Sequence, residues 1–134
     1  MEMIVNIDVD DLPKAIRFYC DALGLRLERR LFDGSVAELS GASSKIHLIA
    51  KDSGSAANAR ALRSYQRHWT PVHIDFEVEN VESAAQRAVA AGAILESGIQ
   101  SFNWGRMATF SDPFGHGFCL LQFTGKGYAE VAQS

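Results

Sequence analysis

The sequence predicts an α+β fold of two βαβββ modules, and three observations predict it. An alternating strand pattern followed by a helical stripe occurs twice, each stripe stops at a glycine, and three short strand-like runs follow each stop. Residues 3–9, MIVNIDV, alternate Val5, Ile7 and Val9 with Asn6 and Asp8, the period of two of a half-buried strand. Asp11 then stands at an N-cap position. Leu12, Ala15, Ile16, Tyr19 and Leu23 recur at helical spacing, and Gly24 supplies the stop. LRLERRL, SVAEL and KIHLIA read as strands, separated by turn signals at Asp33-Gly34 and at Gly41 to Ser44. This first module covers about residues 3–51.

The linker, about residues 52–69, begins flexible and becomes helix-friendly, with Arg60, Arg63 and Arg67 at helical spacing. The pattern then restarts in the second module, about residues 70–124. Val72, Ile74, Phe76 and Val78 alternate with His73, Asp75, Glu77 and Glu79, and Val81, Ala84, Ala85, Ala88 and Val89 form a helical stripe that Gly92 ends. AILESG, GRMATFS and GFCLLQF complete the module, the last two joined by the tight turn Asp112-Pro113-Phe114-Gly115. Residues 125–134 form a tail outside the pattern. Aligning Asp11-Leu12 with Asn80-Val81 places Ile4 opposite His73, and counting along the last strands places His47 opposite Cys119.

A chain of 134 residues is one domain by size, and folding removes roughly two thirds of its surface from water. A formal charge of −3 gives no general attraction to nucleic acid or anionic membrane, so a partner must be argued from a site. The apolar runs are far shorter than the roughly 20 residues that span a bilayer, and the acidic start MEMIVNIDVDD lacks a basic signal region. A cytoplasmic location with Cys20 and Cys119 reduced is the expectation.

The stretches DLPKAIRFYCDALGL, HIDFEVENVESAAQRAVAAGA and FSDPFGHGFCLLQF resemble the vicinal oxygen chelate superfamily. That superfamily groups glyoxalases, bleomycin and fosfomycin resistance proteins, epimerases and extradiol dioxygenases, and the resemblance covers residues 3–124. It implies curled mixed sheets around a shared cavity, a homodimer, and a divalent ion held by the first and last strands of each module. The matching positions are Ile4, His47, His73 and Cys119; Ile4 offers no ligand atom, and Cys119 stands where glutamate is usual. The activity implied is of lyase, isomerase or dioxygenase type on a small molecule with adjacent oxygens. The alternative is a metal-free binding or sequestering protein of the bleomycin-resistance kind.

Taken as side chains, His47, His73 and Cys119 suit zinc with an open fourth position, in preference to nickel, manganese or magnesium. Cys119, between Phe118 and Leu120, equally fits a small buried hydrophobe. His73, Asp75 and Glu77 share one strand face, which dry burial without partners would make costly, so that face is either a polar cavity or open surface. Asp75 is the candidate proton carrier. Asn6 and Asp8, on the equivalent first-module face, and Trp104 and Arg106, bordering the strand before the hairpin, are candidate substrate contacts.

Overall fold

Asp11 accepts a hydrogen bond from the backbone N–H of Lys14 at 3.1 Å, and Gly24 adopts the left-handed conformation at φ 70°, its N–H bonded to Cys20. Helix α1 (Leu12–Leu23) therefore begins and ends where its capping chemistry dictates. It lies in the first of two units, Met1–Gln66 and one beginning at Arg67, in a computed structural model that describes residues 1–133. Leu12, Ala15, Phe18, Tyr19 and Ala22 form its buried face, and the Phe18 and Tyr19 rings meet edge-on at 5.0 Å. Tyr19 is core, as its place in the stripe predicts.

The first unit forms a four-stranded sheet from β1 (Ile4–Val9), β2 (Arg26–Leu31), β3 (Val36–Ser40) and β4 (Lys45–Ala50), in the order β1-β4-β3-β2. Strands β1 and β4 run parallel, and the other pairs are antiparallel. Val9, Leu39, Ile46 and Leu48 are almost fully shielded from water within this unit.

The linker departs from the helical expectation. It forms two short antiparallel strands, β5 (Ala56–Asn58) and β6 (Ala61–Leu62). Local side-chain bonds compete with a helix here: Asn58 Oδ1 accepts from the Arg60 N–H at 2.8 Å, and the Ser55 hydroxyl donates to the Asp52 carbonyl at 2.5 Å. Arg63 adds Nε to Asp8 Oδ2 at 2.8 Å and Nη1 to the Ala56 carbonyl at 2.6 Å. The helical spacing of Arg60, Arg63 and Arg67 therefore has no helix beneath it.

The second unit repeats the plan with β7 (Ile74–Glu77), α2 (Val81–Ala91), β8 (Ile94–Ser101), β9 (Gly105–Ser111) and β10 (Gly117–Phe123), ordered β7-β10-β9-β8. Asn80 caps α2 through the Ser83 N–H at 2.9 Å, and the Val81 N–H donates to Gln122 Oε1 at 2.9 Å, fastening the helix start to β10. Val81 and Ala88 are buried, whereas Val89 is 47% exposed and does not belong to the core face expected of it. At the β9–β10 turn, Asp112 Oδ1 accepts from the N–H groups of Phe114 and His116 at 2.8 and 2.9 Å, and Gly115 takes φ 83°. The tail contributes a short 3₁₀ helix, Gly127–Val131.

The strand registers bear out the repeat. Asn6 pairs with His47 in the first sheet and Asp75 with Cys119 in the second, which makes His47 and Cys119 equivalent positions. No helix among the described residues is long and apolar enough to cross a membrane, and both cysteines are free. Leu120 has no exposed surface; Leu120→Ala is expected to cost about 2–5 kcal/mol in chemical denaturation, the range for a truncated core leucine.

Candidate functional site

Because β7 pairs in parallel with β10, Asp75 lies opposite Cys119, and side-chain alternation puts His73 on the same face as Asp75. His73 Nε2 stands 3.2 Å from Asp75 Oδ1. One ligand atom from each of His73, Asp75 and Cys119 lies within 4.8 Å of the others, and among the described residues these three form a group able to hold a metal ion. His73 and Asp75 are exposed and Cys119 is buried. Desolvation, followed by the charge and hydrogen bond of Asp75, pushes the Cys119 thiol up to about 11, so it is protonated at neutral pH.

The trio lines an open cavity of about 520 Å³ within the second unit, together with Trp69, Trp104 and Tyr128. Trp104 stacks on Phe102 at 5.1 Å and meets Tyr128 at 5.0 Å. Arg67 also lines the cavity. Its Nε and Nη2 donate to the two Glu96 oxygens at 2.7 and 3.0 Å, and Nη1 donates to the His68 carbonyl. This pairing holds the Glu96 carboxyl below its ordinary value. Gly117 makes room for it: a Cβ there would come within 2.6 Å of Arg67 Nη2.

His47, Asp8 and Arg106 each have another partner. His47, expected beside His73 and Cys119, belongs to the first unit, and its Nε2 lies 2.9 Å from Glu38 Oε2. Glu38, only 6% exposed, also accepts from Arg29 Nε at 3.0 Å and Nη2 at 3.4 Å. The donor that the structure groups with His73 and Cys119 is Asp75, the residue that the sequence offers as a proton carrier. Asp8 holds Arg63, Asn6 is exposed on β1, and Arg106 bonds Glu82 of α2 at 2.6 Å; Trp104 alone of the four expected substrate contacts lines this cavity.

Glu38, Glu96 and Tyr128 do not stand out in the sequence pattern as site residues. Glu38 had a readable signal, a lone charge inside the apolar run SVAEL. Glu96 and Tyr128 had none, because each acquires its place from a residue distant in the chain.

A family model for the glyoxalase-like domain matches residues 4–121. An uncharacterized protein of Mycobacterium bovis, Mb0911c, is 30% identical over 122 residues, covering 87% of this chain and 80% of that protein. The fold is similar to that of the genomically encoded fosfomycin resistance protein FosX from Listeria monocytogenes, with a TM-score of 0.73 and 21% identity over 98% of this chain and 97% of that one. It is also similar to a glyoxalase/bleomycin resistance protein/dioxygenase family enzyme from Burkholderia phytofirmans PsJN, with a TM-score of 0.69 and 19% identity over 90% and 97% of the two chains.

Arg29, and after it His47, hold the Glu38 carboxyl below its ordinary value of 4.5. A depressed folded value means that the stabilisation is complete above the unfolded pKa and is lost as pH falls through the folded one. Thermal midpoints measured across the acid range are therefore expected to fall for the wild type, while Glu38→Gln, less stable at neutral pH, lacks this component. Gly117→Ala is expected to fold with near wild-type stability, since the obstructing atoms end a flexible side chain. It displaces Arg67, and an NMR titration is expected to show the Glu96 carboxyl returning toward its ordinary value.

Proposed function

The chain belongs to the glyoxalase-like domain family, in the glyoxalase/bleomycin resistance/dioxygenase superfamily, and from that premise we propose that it is a metal-dependent enzyme acting on a small molecule with adjacent oxygens. The reaction is of lyase, isomerase or dioxygenase type, and the second-module cavity is its site. The observation that carries this reading is the convergence of His73, Asp75 and Cys119 within 4.8 Å at an open cavity.

These donors fit a divalent ion. Imidazole nitrogen, carboxylate oxygen and thiolate sulfur together suit zinc better than the hard cations magnesium or manganese, and three protein ligands leave a position open. When bound, the ion would act as a Lewis acid on the adjacent substrate oxygens. Asp75 offers two oxygens, so one can serve the ion while the other takes a proton from a substrate beside it. The exposure of His73 and Asp75 gives a ligand direct access. A cavity of this volume accommodates a drug-sized molecule.

The second reading, a metal-free binder, draws support from the protonated Cys119 thiol and from Ile4 at the position equivalent to His73. In that reading the same cavity holds its ligand by packing and hydrogen bonds without turnover.

Titration of metal-free protein with zinc by calorimetry separates the two. One zinc per chain is expected, and because the Cys119 proton must leave, affinity is expected to rise about tenfold per pH unit below the thiol's pKa of about 11. Cys119→Ala is expected to flatten that slope, and His73→Ala to weaken binding more than about 100-fold, beyond the usual loss on removing a group that only orients a ligand. Absence of stoichiometric uptake of zinc, nickel or manganese at neutral pH would sink the metal-dependent reading.

A further inference from the structure

The family match ends at residue 121, yet the cavity does not. Tyr128, in the 3₁₀ helix beyond β10, lines it and remains half exposed. The segment carrying Tyr128 is fastened in place. The Thr124 N–H donates to the Trp104 carbonyl at 3.1 Å, the Gly127 N–H donates to the Thr124 carbonyl at 2.8 Å, and Gly127 turns at φ 59° over the Phe123 ring. Tyr128 meets Phe123 edge-on at 4.6 Å and Trp104 at 5.0 Å, while Trp104 is backed by Phe102 in a parallel stack. Trp69, 80% exposed, lines the same cavity.

Tyr128 and Trp104 are held by neighbouring rings and Trp69 stands open to solvent, and aromatic faces attract flat π systems beyond the gain from buried area. Only two χ angles per ring need be fixed, so ordering costs little on binding. We infer that the segment after β10 is a specificity element of this cavity, and that Tyr128, with Trp104 and Trp69, receives the planar aromatic body of the ligand. The inference rests on the reading above, in which the ligand's adjacent oxygens meet His73, Asp75 and Cys119. It makes the substrate class an aromatic molecule bearing vicinal oxygens, in preference to a small aliphatic one.

The test uses the zinc-loaded 134-residue chain and two probes with adjacent oxygens: a vicinal naphthalenediol, with two fused rings, and glycolate, with none. Tyr128→Leu keeps the apolar contact with Phe123 and removes the ring, and Tyr128→Phe keeps the ring. By calorimetry, Tyr128→Leu is expected to weaken the naphthalenediol about threefold to tenfold, the worth of one aromatic pair, and to leave glycolate unchanged. Tyr128→Phe is expected to match the wild type. Failure of the wild type to bind the naphthalenediol, an unchanged affinity in Tyr128→Leu, or an equal loss for both probes would each overturn the inference. In His73→Ala both probes are expected to weaken. If neither does while Tyr128→Leu remains selective, the oxygen-anchoring reading fails and the aromatic specificity element stands.

Discussion

Parallel pairing of the first and last strands, β1 with β4 and β7 with β10, is the constraint on which the rest of each module depends. A parallel pair needs a crossover, and each module supplies one through its helix and two antiparallel strands. Side chains alternate along a strand, so a slip of one residue would send every core residue to the wrong face. Phe118 and Leu120 are buried on either side of Cys119, and the register that buries them also sets Cys119 opposite Asp75. The same packing that makes the second sheet stable thus assembles the His73, Asp75 and Cys119 group.

Two modules with one plan have reached different solutions at equivalent places. In the first sheet the row runs Asn6, His47, Glu38, and the nearly buried Glu38 carboxylate is satisfied by Arg29 and His47. A charge this shielded requires such partners, and it has them from both neighbouring strands. In the second sheet the row runs Asp75, Cys119, Thr109, with a neutral hydroxyl where the first has a carboxylate. In the first row His47 pairs with the buried Glu38; beside the second row His73 pairs with Asp75 at 3.2 Å while both stay exposed.

Around the second row, long-range partners set the character of the cavity. Arg67, from the segment before β7, reaches Glu96 of β8 across the space left by Gly117. Tyr128, from the far end of the chain, packs against Trp104. A bidentate ion pair and a cluster of rings give these segments a fixed place although neither belongs to the strand and helix pattern.

The two modules, their caps and turns, and the polar faces of β1 and β7 are legible in the sequence, because they rest on periodicity, on Asp11 and Asn80 as caps, and on the Asp112 to Gly115 turn. The repeat alignment likewise sets His73 at the position of Ile4 and Cys119 at that of His47. The extended rather than helical linker is not legible in the sequence, since Asn58, Ser55 and Arg63 bond to groups that local propensity does not weigh. Register and long-range packing likewise bring Asp75 to His73 and Cys119, set His47 against Glu38, and place a tail tyrosine at the cavity. One cause underlies all three: periodicity assigns a side chain to a face, but its partner on that face is chosen by strand register and long-range packing.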